Sequence, residues 1–235
     1  MQIKHKNNGF PGSRSWYSTL RAKNPDTNFT TGFTLIEMLV SVAIVTIIMS
    51  VILYDYSTFN DNLALSSAGQ EMAILIRQAQ TYGLSVKGVS GANIDQQFNS
   101  AYGIDFNSSP TNNNNIRYYV FADLNGDKDF DPSVDNKCGL GGGECIEKTN
   151  LRDGVIIEKV CSTGNGMTCV NPGSAQIMDI TFKRPNPDAY FSFNDGRNTI
   201  SGTYNSGKII LLSPKGHRII VTVESTGQVM VGQVE

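Results

Sequence analysis

The sequence predicts an α+β chain in which one long N-terminal helix precedes an antiparallel β-sheet domain. Three observations predict it. Residues 33–53 are apolar or small throughout except for one carboxylate, Glu37. A 3,4-spaced apolar stripe carries the helical period on to residue 86. Beyond it, short runs rich in Ile, Val, Tyr and Phe alternate with linkers rich in Gly, Asn and Ser.

The opening helix comes first. The 21 residues from Phe33 to Leu53 span about 31 Å at ~1.5 Å per residue, the depth of a bilayer core. A cleaved secretory signal has a shorter apolar core ending in small residues, whereas this run is longer and ends ILYDYSTF, so it is expected to stay in the protein. The stripe Leu65, Ala68, Met72, Leu75, Ala79, Tyr82 and Val86 then marks an amphipathic half. No proline falls between Pro25 and Pro110. One helix over about 33–86, ~80 Å long, is the simplest reading, apolar all round first and two-faced afterwards. Gly69 and Gly83 weaken it locally and mark a bend or its end.

Charge divides the 235-residue chain in the same place. Residues 1–32 hold Lys4, Lys6, Arg14, Arg21 and Lys23 against Asp26, a net of +4, which leaves −6 on residues 33–235 of a chain whose total is −2. A basic head before an apolar run is retained in the cytoplasm. The acidic body argues against bulk nucleic-acid binding by field, so nucleic acid is not expected as a partner.

The soluble part should hold eight strands: 101–106, 116–122, 154–160, 176–183, 190–193, 208–213, 218–223 and 228–231. The last three form a meander with turns at SPKGH and ESTGQ. Helix followed by antiparallel sheet gives a lollipop layout, with the helix stripe covering one sheet face. The organisation expected is therefore a basic leader at 1–32, a membrane half of the helix at 33–54, an amphipathic half at 55–86 and a β-rich head at 87–235. Cys138/Cys145 and Cys161/Cys169 fall in Gly-rich loops beyond the membrane segment, which reads as disulfides in an oxidising compartment. Zinc competes, but its usual gaps of two to four residues are shorter than the six and seven here. Three pairings are open, and local 138–145 and 161–169 bridges close the shortest loops.

Gly32-Phe33-Thr34-Leu35-Ile36-Glu37 and the apolar run behind it resemble the class III signal of type IV pilins and type II secretion pseudopilins. The resemblance implies cleavage between Gly32 and Phe33 by a membrane prepilin peptidase, N-methylation of Phe33, and Glu37 as fifth residue of the mature chain. In that family this glutamate is held to pair with the terminal amine of a neighbouring subunit. Physics agrees, because an ionisable group inside a membrane is costly and usually meets a partner. A charge pair is also worth more at low dielectric. The implied fold is the pilin lollipop, and the implied partners are other pilin or pseudopilin subunits, an inner-membrane assembly platform and the lipid bilayer. The implied location is the cytoplasmic membrane, single-pass, with the leader in the cytoplasm and the head in the periplasm or outside. The leader is long for the family, and Tyr54 stands where many members have a kinking proline. More loosely, 118–132, 144–157 and 206–231 resemble minor pseudopilins of the GspH/FimT type.

Asp123, Asn125, Asp127, Asp129 and Asp131 set oxygen ligands at alternate positions, a pattern hard cations such as Ca²⁺ use. An EF-hand needs Gly at its sixth position and an acid at its twelfth, where this run has Lys128 and Val134. Asp135 is then a late ligand, and the competing reading is a solvated Asn-Gly turn. Calcium is the one cofactor the sequence raises. Enzymatic patterns are missing: His5 and His217 are the two histidines, and neither G-x-S-x-G nor a phosphate-binding glycine loop occurs. Lys183, Arg184, Lys215, His217 and Arg218 make at most a modest basic patch. The expected role is a non-enzymatic filament subunit, a minor pseudopilin of a type II secretion-like pseudopilus or a type IV pilus subunit for adhesion, motility or DNA uptake. A membrane-anchored binding module that never polymerises is the contrasting class.

Overall fold

A computed structural model describes residues 32–85, 87–89, 98–132, 138, 143–163, 176–200 and 202–233. The chain is α+β: a long N-terminal helix followed by an antiparallel β-sheet domain. It divides into two compact units, residues 1–47 and 48–235, whose boundary falls within the helix sequence. The expected leader and the stripe's last residue, Val86, lie outside the described residues.

Helix α1 runs Leu35–Leu84, uninterrupted at Tyr54. Thr34 sits just before it, and its Oγ1 accepts the Glu37 backbone N–H at 3.3 Å. The T-x-x-E spacing is that of a capping box, and a carboxylate in the first turn also meets the positive end of the helix dipole. In the described part of the first unit, residues 32–47, the large apolar side chains are exposed. The helix is long and apolar enough to cross a membrane.

Within the second unit the helix changes character. Leu65, Ala68, Met72, Ala73, Ile76 and Ala79 are buried and share one core with both sheets. The expected stripe is right at Leu65, Ala68, Met72 and Ala79. One turn differs, since Ile76 is fully buried while Leu75 is half-buried and Ile74 is exposed. Burying a side chain such as Met72 or Ile76 contributes ~1.5–3 kcal/mol. Gly83 is where the helix comes closest to a strand: a Cβ there would collide with the Phe182 carbonyl oxygen, and the Arg184 N–H donates to the Gly83 carbonyl at 3.2 Å.

Nine strands are described, in two sheets rather than the single sheet expected. They are β1 (Ala101–Asn107), β2 (Arg117–Asp123), β3 (Cys145–Asn150), β4 (Ile156–Thr163), β5 (Ile177–Phe182), β6 (Ala189–Asn194), β7 (Ser206–Leu212), β8 (Arg218–Glu224) and β9 (Val229–Gln233). The first sheet has the order β3-β2-β1-β5-β6 and the second β4-β7-β8-β9, with every pairing antiparallel. The meander β7–β8–β9 is as expected. Its first turn closes through Ser213 N–H to His217 O at 2.9 Å and Gly216 N–H to Ser213 O at 3.0 Å. Gly216 there takes a φ of +87°, which favours glycine. Ile104, Phe106, Val120, Met178 and Ile180 of the first sheet meet Ile157, Ile209, Leu211, Val221 and Val223 of the second in the common core.

The opposite face of the first sheet positions the site. Cross-strand pairing lines up Lys148, Tyr119, Asp105, Asp179 and Ser192 in one row across β3, β2, β1, β5 and β6. The loop after β2 folds back over this row. Phe130 stacks on Tyr119 at 5.1 Å and leans on Phe121 at 5.4 Å, and the Lys128 ammonium lies 4.1 Å above the Tyr190 ring.

Candidate functional site

Two regions hold the predicted site residues. At the N-terminal segment, Gly32, Phe33 and Thr34 are non-helical and exposed, directly ahead of the first helical turn. The Gly32–Phe33 bond therefore lies outside the helical hydrogen-bond ladder, and no atom crowds the Gly32 α-carbon where a Cβ would stand. Glu37 sits one turn further in, and the Ser41 hydroxyl donates to its carbonyl at 2.7 Å. Among the described residues no cation pairs with its carboxylate. The capping role of Thr34 was legible in the T-x-x-E spacing but was not drawn from it.

The second region is the loop 124–132. Its alternating oxygens are engaged mainly with the loop's own backbone. Asp123 accepts from Gly126 N–H at 2.5 Å and Lys128 N–H at 3.2 Å. Asn125 donates to Asp127 at 2.7 Å and to Asp131 at 2.9 Å. Glu144 clamps both ends, accepting from Leu124 N–H at 2.8 Å and Asp131 N–H at 2.9 Å. Burial pushes the Asp123 and Glu144 carboxyls up, against the pull of these N–H donors. Asp129 alone of the five turns toward β6, accepting from the Thr199 hydroxyl at 3.2 Å. Among the described residues no three Asp, Glu, His or Cys side chains are grouped to hold a metal, and Asp135 lies outside them.

Sequence reasoning missed what lies beneath. Asp105 and Asp179 face each other across β1 and β5 and are 6% and 2% exposed. Asp179 interacts with Asp105 and with the Phe130 backbone N–H, and its Oδ1, like Asp129 Oδ1, is buried with no donor from another kind of group among the described residues. Burial pushes Asp105 up to about 7, against the pull of Asp179, and burial with the Asp105 charge opposite pushes Asp179 well above the usual range, so the pair holds a proton at neutral pH. Both carboxylates line a cavity of about 320 Å³ together with Tyr119, Phe130, Arg117 and several asparagines. The sequence signal was weak, because an Asp at an alternating strand position reads as a solvent-facing residue.

Cys138 and Cys145 are joined by a disulfide, with Cα atoms 4.7 Å apart. This is one of the local bridges expected, and it ties the acidic loop's exit to the start of β3. Cys161 is disulfide-bonded as well, and Cys169 lies outside the described residues. The basic residues do not form one patch. Arg218 of β8 pairs with Glu158 at 2.7 Å and Lys215 donates to Thr58 at 3.1 Å, whereas Lys183 and Arg184 follow β5 of the other sheet.

Residues 29–53 match the prokaryotic N-terminal methylation motif. The matched segment contains the exposed Gly32–Phe33 bond, the capped first turn and the apolar half of α1. It supports the type IV pilin and pseudopilin superfamily, whose members are handled by prepilin peptidase and assemble with other pilin subunits, and the helix behind it is long and apolar enough to anchor a chain in a membrane. Such subunits are generally structural and non-enzymatic. No curated protein and no solved structure matches the chain.

Proposed function

We propose that this protein is a minor pseudopilin or pilin, trimmed at Gly32/Phe33, methylated on Phe33, and moved from the cytoplasmic membrane into a thin helical filament. The observation that carries the reading is the GFTLIE string within the matched motif, its first three residues exposed ahead of the apolar helix and its last three forming the capped first turn. The helix supplies the mechanism. Its apolar half is soluble in lipid and equally stable in a dry bundle, so assembly exchanges lipid contacts for helix–helix contacts. Cleavage creates a terminal amine four residues ahead of Glu37. In a neighbouring subunit that amine neutralises the carboxylate and sets the axial register. A head-to-tail interface of this kind repeats without closing and yields an open helical polymer.

Among filaments, we favour a type II secretion-like pseudopilus over a type IV pilus for adhesion or DNA uptake. What supports that choice is the looser likeness of 118–132, 144–157 and 206–231 to minor pseudopilins of the GspH/FimT type. The partners on this reading are prepilin peptidase, the other subunits, an inner-membrane assembly platform and the bilayer, with the head in the periplasm or outside. The test is Glu37→Ala in the native host. The variant should be processed and membrane-bound at wild-type level yet missing from sheared filaments. Normal incorporation would contradict the role given to Glu37, and a wild-type chain that is itself missing from sheared filaments would favour a membrane-anchored binding module instead.

A further inference from the structure

We propose that the cavity above Asp105 and Asp179 is a binding site for a small organic ammonium group, a role separate from filament assembly. The two carboxylates belong to facing strands, are each more than nine-tenths buried, and line a cavity of about 320 Å³. Among the described residues no basic side chain forms an ion pair with either acid, and the buried Asp179 Oδ1 has no donor beyond the proton the two acids share.

Charge and shape fix the class of ligand. The charged and titratable groups around the pair are Asp129 on the covering loop, Arg117 and Tyr119 on β2, and Lys148 on β3, whose ammonium lies 6.0 Å from the Tyr119 ring centre. Arg117 is turned to backbone, donating to the carbonyls of Asn113 at 3.0 Å and Asn112 at 3.2 Å, so it does not neutralise the charge the pair carries once it gives up a proton. The stacked Tyr119 and Phe130 rings give a cation an aromatic wall. Asn107, Asn114 and Asn194 add amide acceptors. A bare metal ion is a poorer match, because the cavity has room for several heavy atoms and the described acids are not grouped as a ligand set. A neutral polyol would leave the paired acids uncompensated. An ammonium group donates up to three hydrogen bonds and replaces the shared proton, which leaves to solvent on binding. The same chemistry is carried by a free amine and by a lysine side chain of another protein.

The experiment is calorimetric titration of the full-length processed chain in detergent micelles with n-butylammonium chloride and with N-acetyl-lysine methylamide. Controls are n-butanol and calcium chloride. Saturable binding of the ammonium probes but not of n-butanol is expected, weakened at least about tenfold by Asp179→Asn, the loss of one charge-assisted hydrogen bond. Tighter binding of the lysine probe would assign the site to a protein side chain, and tighter binding of n-butylammonium to a free amine. Asp105→Asn gives an independent reading if Asp179→Asn does not fold. Equal binding of n-butanol, unchanged affinity in both variants, no binding of either ammonium probe at millimolar concentration, or displacement of the probes by calcium would each overturn the proposal.

Discussion

Replacing Asp105 by Asn should stabilise the protein above neutral pH. In the folded state burial raises the Asp105 carboxyl to about 7, against 3.8 when exposed, with hydrogen bonding to Asp179 pulling the other way. Near pH 4 and below, folded and unfolded chains both bind the proton. As pH rises from there toward 7 the unfolded chain releases it first, so the folded state binds more protons and stability falls. Above 7 the folded chain has also released it, and the full difference persists. A shift of roughly three units corresponds to about 4 kcal/mol lost across that window. Asn has nearly the same shape, carries no charge, and can donate to Asp179, so the variant escapes most of this loss. We expect a gain of about 2–4 kcal/mol at pH 8, several degrees in Tm for a chain of this size, and a gain about 2–3 kcal/mol smaller at pH 5. Thermal melts of both proteins by circular dichroism at the two pH values measure it. A variant less stable at pH 8, or a wild type that gains stability relative to the variant between pH 5 and 8, would refute a buried, proton-holding pair.

Gly83→Ala should lower Tm despite the better helix propensity of alanine, because the new Cβ meets the Phe182 carbonyl and the strand must move. The net cost is about 1–2 kcal/mol, and an unchanged or higher Tm would show that the helix end is not packed this tightly. For the alternating oxygens of the loop, calcium titration of the full chain is the check. The hydrogen bonds already made by Asp123, Asn125 and Asp127 predict no heat at millimolar calcium, and heat that Asp127→Ala abolishes would instead place the ion there.

Much of this architecture follows from period and punctuation. The helix, the meander β7–β9 and five further strands announce themselves through 3.6- or 2-residue patterns and flanking turn residues. Strand β3, CIEKTN, does not, because it is a charged edge strand whose adjacent Glu147 and Lys148 are both exposed, which breaks the alternation. The division into two sheets was equally hidden, since alternation shows that a strand has a buried face but not which strand lies beside it. Helical phase was recovered except near residues 74–76, where three consecutive apolar residues fit the stripe and the packing against the sheets selects Ile76. The N-terminal methylation motif was legible because it is local, a short string followed at once by an apolar run. Asp105 and Asp179 were not, because their burial depends on a loop some twenty residues from β1 folding over the sheet. No periodicity in the strands themselves encodes that cover.

The central claim is that the Gly32–Phe33 bond is cut and the new terminus serves assembly. Intact-mass and N-terminal peptide mass spectrometry of the protein purified from its native membrane tests it directly. The account predicts a chain beginning at Phe33 and carrying one added methyl group on its amine. A chain that retains Met1, or one cut at another bond, would contradict it, because Glu37 would then have no amine four residues ahead to meet in a neighbouring subunit.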